Sequence, residues 1–122
     1  MKLINLVNDK YRTKTTKEIL TDGNTDGQAG LSWQEVNALI KDGHNPKSFI
    51  CKTAKFLWGI DAMTNSVFKA IDSDNNKIIT LEECNKYMLD KCNIGLESIW
   101  NKTATDVCNI LDNTSKNKKS LN

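Results

Sequence analysis

Proline, histidine and arginine occur once each in this chain, as Pro46, His44 and Arg12, and each scarcity excludes something. With one histidine, a Ser-His-Asp or Cys-His centre would hang entirely on His44. That residue stands in a turn signal beside Asn45-Pro46, where an exposed position is expected, so we expect a non-enzyme. With one arginine, positive charge is carried by lysine, and the net charge is only +2. Bidentate readout of bases and phosphates favours arginine and needs a concentrated basic stripe, so nucleic acid is not an expected partner. Cys51, Cys84, Cys92 and Cys108 form no Cys-x-x-Cys pair with a histidine nearby, which argues against zinc and for buried free thiols. No apolar run reaches membrane-spanning length, and Met1 to Asp9 is too short a run for a secretory segment. A soluble, cytoplasmic protein without a signal peptide is therefore expected. Gly27 and Gly30 lie in an acidic stretch that repels phosphate, so they make no phosphate loop.

What is present is helical periodicity broken by two polar stretches. The 122 residues, 39% hydrophobic and 26% charged, fit one domain with one core. Lys14 to Leu20 predicts a short helix with Thr15 or Thr16 as N-cap. Thr21 to Gly30, rich in Asp, Asn and Gly, predicts a loop. Val36, Leu39 and Ile40 share a face of a helix that starts at Ser32 and stops in Asp42 to Pro46. From Lys47 to Ile71 apolar residues run at three-and-four spacing, as one helix or as two joined near Gly59, with Phe49, Phe56 and Trp58 expected in the core. Asp72 to Thr80 is again polar, then Leu81 to about Asp90 is helical. A further helix, about 96–112, carries Leu96, Ile99, Trp100, Thr103, Val107, Ile110 and Leu111 on one side. Residues 115–122, rich in lysine and asparagine, predict a disordered tail. No strand-forming run of useful length occurs, and the class is all-α.

The second polar stretch reads Asp72-Ser73-Asp74-Asn75-Asn76-Lys77-Ile78-Ile79-Thr80-Leu81-Glu82-Glu83. A hard cation such as Ca²⁺ takes six to eight oxygens, which a short loop supplies from alternating inward side chains. Asp72, Asp74 and Asn76 have that alternation. Ile78 would offer a backbone carbonyl, Thr80 would reach the ion through a water, and Glu83 would close the sphere with both carboxylate oxygens.

In these residues the sequence resembles the EF-hand calcium-binding superfamily. Ile79 stands where that family places an aliphatic residue that pairs with a sister loop. Phe68 and Ile71 match the incoming-helix anchors, and Cys84, Tyr87 and Met88 the outgoing ones. Lys77 departs from the pattern, because the family has glycine with positive φ there. A lysine costs about 1 kcal/mol of strain and adds charge near the ion.

The first polar stretch resembles the same family in two registers. Leu31-Ser32-Trp33-Gln34-Glu35 looks like a closing half, with Glu35 as the terminal ligand. Asp22-x-Asn24-x-Asp26-Gly27 looks like an opening half, with Gln28 offering its carbonyl, in a loop from 22 to 35 lengthened by Ala29-Gly30. The usual length instead starts at Asn24, with Asp26 next and Gln28 giving a side-chain oxygen. We expect the longer loop, which uses more negative charge and puts Gly27 where φ is positive.

The resemblance implies a paired helix-loop-helix lobe over residues 1–114 with an additional C-terminal helix, holding one or two Ca²⁺ ions. It implies a calcium sensor or regulatory protein, or a calcium-stabilised interaction domain, with a dissociation constant of about 10⁻⁷ to 10⁻⁵ M. In such sensors an apolar groove receives a protein or peptide partner, and the last helix would either fill that groove in cis or face a partner. With only Met63 and Met88 beyond Met1, the surface is not the methionine-rich kind of a promiscuous sensor. The alternative is a helical interaction module that keeps the scaffold and has lost its dependence on calcium.

Overall fold

Thr15, Ser32 and Thr80 each stand three residues ahead of a glutamate, and each opens a helix with a reciprocal capping box. In every case the hydroxyl accepts from the glutamate N–H while the carboxylate accepts from the cap N–H, satisfying two orphan donors at once. In the computed structural model, which describes residues 2–48 and 59–120 with side chains to Asn113, these boxes start α2 (Thr16–Gly23), α3 (Trp33–Gly43) and α5 (Leu81–Cys92). Between the last two lies α4 (Ile60–Ile71), with Gly59 as its N-cap. Asn93, at φ 57°, ends α5 in the left-handed conformation that asparagine tolerates. The residues Phe49, Ile50, Cys51, Phe56, Leu57 and Trp58 lie outside the described residues.

The fold is mostly helical. Among the described residues the one sheet is a ribbon of β1 (Leu31–Ser32) and β2 (Ile78–Ile79), antiparallel, with Leu31 opposite Ile79 and Ser32 opposite Ile78. This ribbon joins the two polar loops. Leu31, Val36, Phe68 and Ile79 form the buried core, with Leu20, Leu39, Ile71 and Cys84 packed around them. Each such side chain contributes about 1.5–3 kcal/mol when fully buried. Helix α3 packs chiefly on α4, while α2 and α5 flank the pair.

The α3–α4 seam also carries a polar group that periodicity does not announce. Asn37, buried on α3, donates through Nδ2 to Asp61 Oδ1 at 2.9 Å and to Thr64 Oγ1 at 3.0 Å. Thr64, fully buried, donates in turn to the Ile60 carbonyl at 2.9 Å. Buried polar groups are tolerated when partnered, and this set fixes how the two helices meet.

The ends of the chain are more ordered than their periodicity suggests. A 3-10 turn (Leu3–Leu6) and the short helix α1 (Asp9–Arg12) occupy the N-terminal stretch. His44 is half-buried rather than exposed, because Val7 pairs with it in an antiparallel bridge. The expected single last helix is two, α6 (Leu96–Ile99) and α7 (Ala104–Ser120). The break falls where Thr103 Oγ1 accepts from Asp106 N–H at 3.3 Å, so Thr103 caps a helix instead of continuing one. Helix α7 runs to Ser120. It packs on the 3-10 turn and α1, not into the core of the four flanking helices. Cys84 and Cys92 are half-buried free thiols, and Cys108 is a buried one. Among the described residues no helix is long and apolar enough to cross a membrane.

Candidate metal centre

Asp72 caps the C-terminal end of α4, and its buried carboxylate accepts from Asn76 N–H at 3.3 Å and Lys77 N–H at 2.8 Å. Asp74 Oδ1 accepts from the same Asn76 N–H at 3.3 Å, and Asn76 Oδ1 accepts from Ile78 N–H at 3.0 Å. These local bonds fold the loop inward, as short polar side chains do in turns. To hold that curl the backbone turns left-handed at Asn75, φ 54°, and at Lys77, φ 69°. For lysine this is strained by about 1 kcal/mol. Lys77→Gly should therefore raise the chain's stability by about 1 kcal/mol in a denaturant titration. An unchanged midpoint would mean the turn is not strained.

Glu83 closes the loop from the first turn of α5. Its Oε1 accepts from Thr80 N–H at 3.0 Å, and its Oε2 reaches across to Ser73 N–H at 2.9 Å and Ser73 Oγ at 3.2 Å. Oxygens of Asp72, Asp74 and Glu83 consequently lie within 4.8 Å of one another, the one such group of three acids among the described residues. Three carboxylates so close repel, and the cost is visible at Asp74. Its hydrogen bond with Asp72, then burial, then the negative charge of Glu83 push its carboxyl above the usual range. A group of oxygen donors that disfavours its own ionisation is a fitting set for a hard divalent cation. Ile78 and Thr80 belong to the same loop, Ile78 in β2 and Thr80 as the cap of α5.

The first loop repeats the pattern in the usual length, from Asn24 to Glu35. Asn24 caps α2 as Asp72 caps α4. Glu35 Oε1 accepts from Ser32 N–H at 2.9 Å, while Oε2 accepts from Thr25 N–H and from Asp26 N–H at 3.1 Å. Thr25 and Asp26 thus stand to Glu35 as Ser73 and Asp74 stand to Glu83. The longer loop from Asp22 is not built: Asp22 lies in the last turn of α2, where it pairs with Lys14 at 3.7 Å. A helix that runs through Gly23 leaves no place for Asp22 in the loop. Gly27 does have positive φ, 73°, but at the place corresponding to Asn75. Gly30, φ 85°, takes the second left-handed turn one residue later than Lys77 does in its loop.

Asp26 Oδ1 accepts from Gln28 N–H at 2.9 Å, and the Gln28 carbonyl accepts from Asn24 Nδ2 at 2.7 Å. Asn24 Oδ1 is buried with no hydrogen-bond partner among the described residues. An orphaned buried oxygen on a residue of this loop is a state that a cation would relieve. Two acids, Asp26 and Glu35, serve this loop where three serve the other.

Both glutamates are held in their ionised form. At Glu35, burial opposes ionisation, but N–H donors from Ser32, Asp26 and Thr25 outweigh it and hold the carboxyl below the usual range. At Glu83 the Thr80 N–H leads the same lowering against burial. A carboxylate whose pKa is lower folded than unfolded stabilises the fold above its unfolded pKa, and loses that effect as pH falls through the folded value. Asp74 acts in the opposite sense, since protonation relieves its crowding. With a chelator present, the denaturant midpoint is expected to hold from pH 7 down to about 5 and to drop steeply below about 4. A midpoint that rises below pH 4 would mean the Asp74 repulsion outweighs both glutamates.

Beside the ribbon an apolar cavity of about 640 Å³ opens between Leu20, Leu31, Ile79, Cys84 and Trp100. It continues past exposed Leu81 and Leu89 into a second hollow of about 620 Å³ bounded by Leu96. Of the last helices it is α6, with Trp100, that borders this groove; α7 lies elsewhere.

Searches against protein-family models, curated proteins and solved structures returned no match for this chain.

Proposed function

We propose that this protein binds Ca²⁺ through a pair of EF-hand loops, Asp72–Glu83 and Asn24–Glu35, and does so as a binding protein rather than as a catalyst. The observation that carries this is the convergence of Asp72, Asp74 and Glu83 within 4.8 Å in a loop already curled by its own side chains. Asn76, the Ile78 carbonyl and Thr80 would complete the second site. Asn24, Asp26, Gln28 and Glu35 would serve the first, with the orphaned Asn24 Oδ1 in its support. The register of the ribbon, Leu31 opposite Ile79, is what sister loops of that family would require. Bound calcium would offset two of the three carboxylate charges and fix both loops; the neighbouring apolar groove is where a helical protein or peptide segment would sit.

A second function, a helical interaction module independent of calcium, has its own support. Glu35 and Glu83 already close both loops onto protein N–H donors, and Lys77 adds positive charge beside the acids. Calorimetric titration of the chelator-treated chain with Ca²⁺, in a background of Mg²⁺, separates the two. Binding near micromolar, with one or two ions per chain, is the expected result; no heat at millimolar calcium would leave the interaction module.

A further inference from the structure

Opening of a helix-loop-helix is greatest at the helix ends farthest from the loop, and here those ends are tied together. For the first pair they are the start of α2 and the end of α3. Asn8 N–H donates to the Gly43 carbonyl at 2.7 Å, and Asn45 N–H donates to the Leu6 carbonyl at 2.9 Å. Asp42, in the last turn of α3, takes Lys10 Nζ on one oxygen at 2.5 Å and the Tyr11 hydroxyl on the other. That hydroxyl is pushed up to about 12, first by its bond to Asp42, and the Asp42 carboxyl is held low, first by Lys10. The Lys10 and Lys14 ammonium groups lie 5.5 and 5.2 Å from the centre of the Tyr11 ring.

Only α1 and a short turn separate these contacts from Thr15, the N-cap of α2. The start of α2 is anchored a second time, since Thr16 and Lys17 N–H groups each donate at 3.0 Å, to the Lys102 and Trp100 carbonyls. Ala104 N–H returns a bond to the Lys14 carbonyl at 2.9 Å, and Thr105 Oγ1 donates to the Arg12 carbonyl at 2.9 Å. A helical segment spans only about 1.5 Å per residue, so α1 has no slack to give. Swinging α2 away from α3 requires α1 to unwind or the Asp42 and Gly43 contacts to break.

We propose that residues 6–17 are a strap that keeps the first helix pair closed, so that calcium taken up by the Asn24–Glu35 loop does not open it. This rests on the calcium binding proposed above and decides its kind: a site that stores calcium or is stabilised by it, not one that exposes a groove on loading. The strap's charged contact is removed most fully by Asp42→Ala, and more gently by Tyr11→Phe. Both contacts are solvent-exposed, so losing them should shift the closed-to-open ratio about threefold.

The test uses the full chain, with Ca²⁺ followed by calorimetry and exposed apolar surface by 8-anilinonaphthalene-1-sulfonate fluorescence. The unaltered chain should give a binding heat and little change in dye signal. In Asp42→Ala, calcium should raise the dye signal severalfold, and in Tyr11→Phe less but in the same direction. If circular dichroism shows Asp42→Ala unfolded, Tyr11→Phe alone decides. A severalfold rise in the unaltered chain, or folded variants that bind calcium with the dye signal still flat, would overturn the strap. No binding heat from the unaltered chain would overturn calcium uptake itself, and the strap's role with it.

Discussion

Glu83→Gln is expected to weaken the proposed calcium binding about a hundredfold, because it would remove one of three charges beside a divalent ion, worth about 3 kcal/mol. Glu83 is the residue of the trio that comes from across the loop, and its two oxygens serve different partners. Oε1 caps α5 at Thr80, and Oε2 gathers Ser73. Glutamine keeps one acceptor oxygen, so part of the cap survives, and the loss of stability without calcium should be about 1 kcal/mol. The neighbouring Glu82→Gln makes the same change in net charge at an exposed side chain outside the trio. It should leave the affinity nearly unchanged. Calorimetry on the two variants checks this, and equal weakening would mean that only the general field of the surface acts, not a site at Asp72, Asp74 and Glu83.

Gly30→Ala is expected to destabilise the fold by about 3 kcal/mol, adding the left-handed penalty of a non-glycine residue to the overpacking of a tight contact. Gly30 sits at φ 85°, and a Cβ there would lie 2.6 Å from Ile78 Cγ2 and 2.9 Å from the Ile79 carbonyl oxygen. The second of these is backbone, in the strand opposite, and it cannot retreat without parting β1 from β2. Gly27 supplies the comparison: at φ 73°, a Cβ there would meet nothing within 4 Å among the described residues. Gly27→Ala should cost only the backbone term, about 1 kcal/mol. Thermal unfolding of both variants, with Gly30→Ala lower by about 10 °C and Gly27→Ala by far less, is the expected outcome. Equal shifts would mean that the ribbon does not press on Gly30.

The comparison of those two glycines also shows what a linear reading of the chain resolves. The curl of the Asp72–Glu83 loop was legible because its hydrogen-bonding side chains are near neighbours and Glu83 also caps a helix, so local chemistry suffices. Helix starts at Thr15, Ser32 and Thr80 were legible for the same reason. For the first loop the longer register weighs charge above helix termination, whereas the structure carries α2 through Asp22, which pairs with Lys14 there. The spacing from Thr25-Asp26 to Glu35, equal to that from Ser73-Asp74 to Glu83, was the available signal. What could not be read were contacts between distant residues. Asn37 on Thr64, Asp42 on Tyr11 and Thr103 on Thr15 have no periodic signature, since each depends on where separate elements come to lie.

The two Leu3 contacts with Asp112, across 109 positions, set an order in which the chain is able to assemble. Bringing such remote segments together in an unstructured chain carries a large loop-closure entropy, which falls once the intervening helices have condensed. The helix pairs around the ribbon involve nearer neighbours and form first on that basis. On the same basis the joint between the 3-10 turn and α7 is expected to close last.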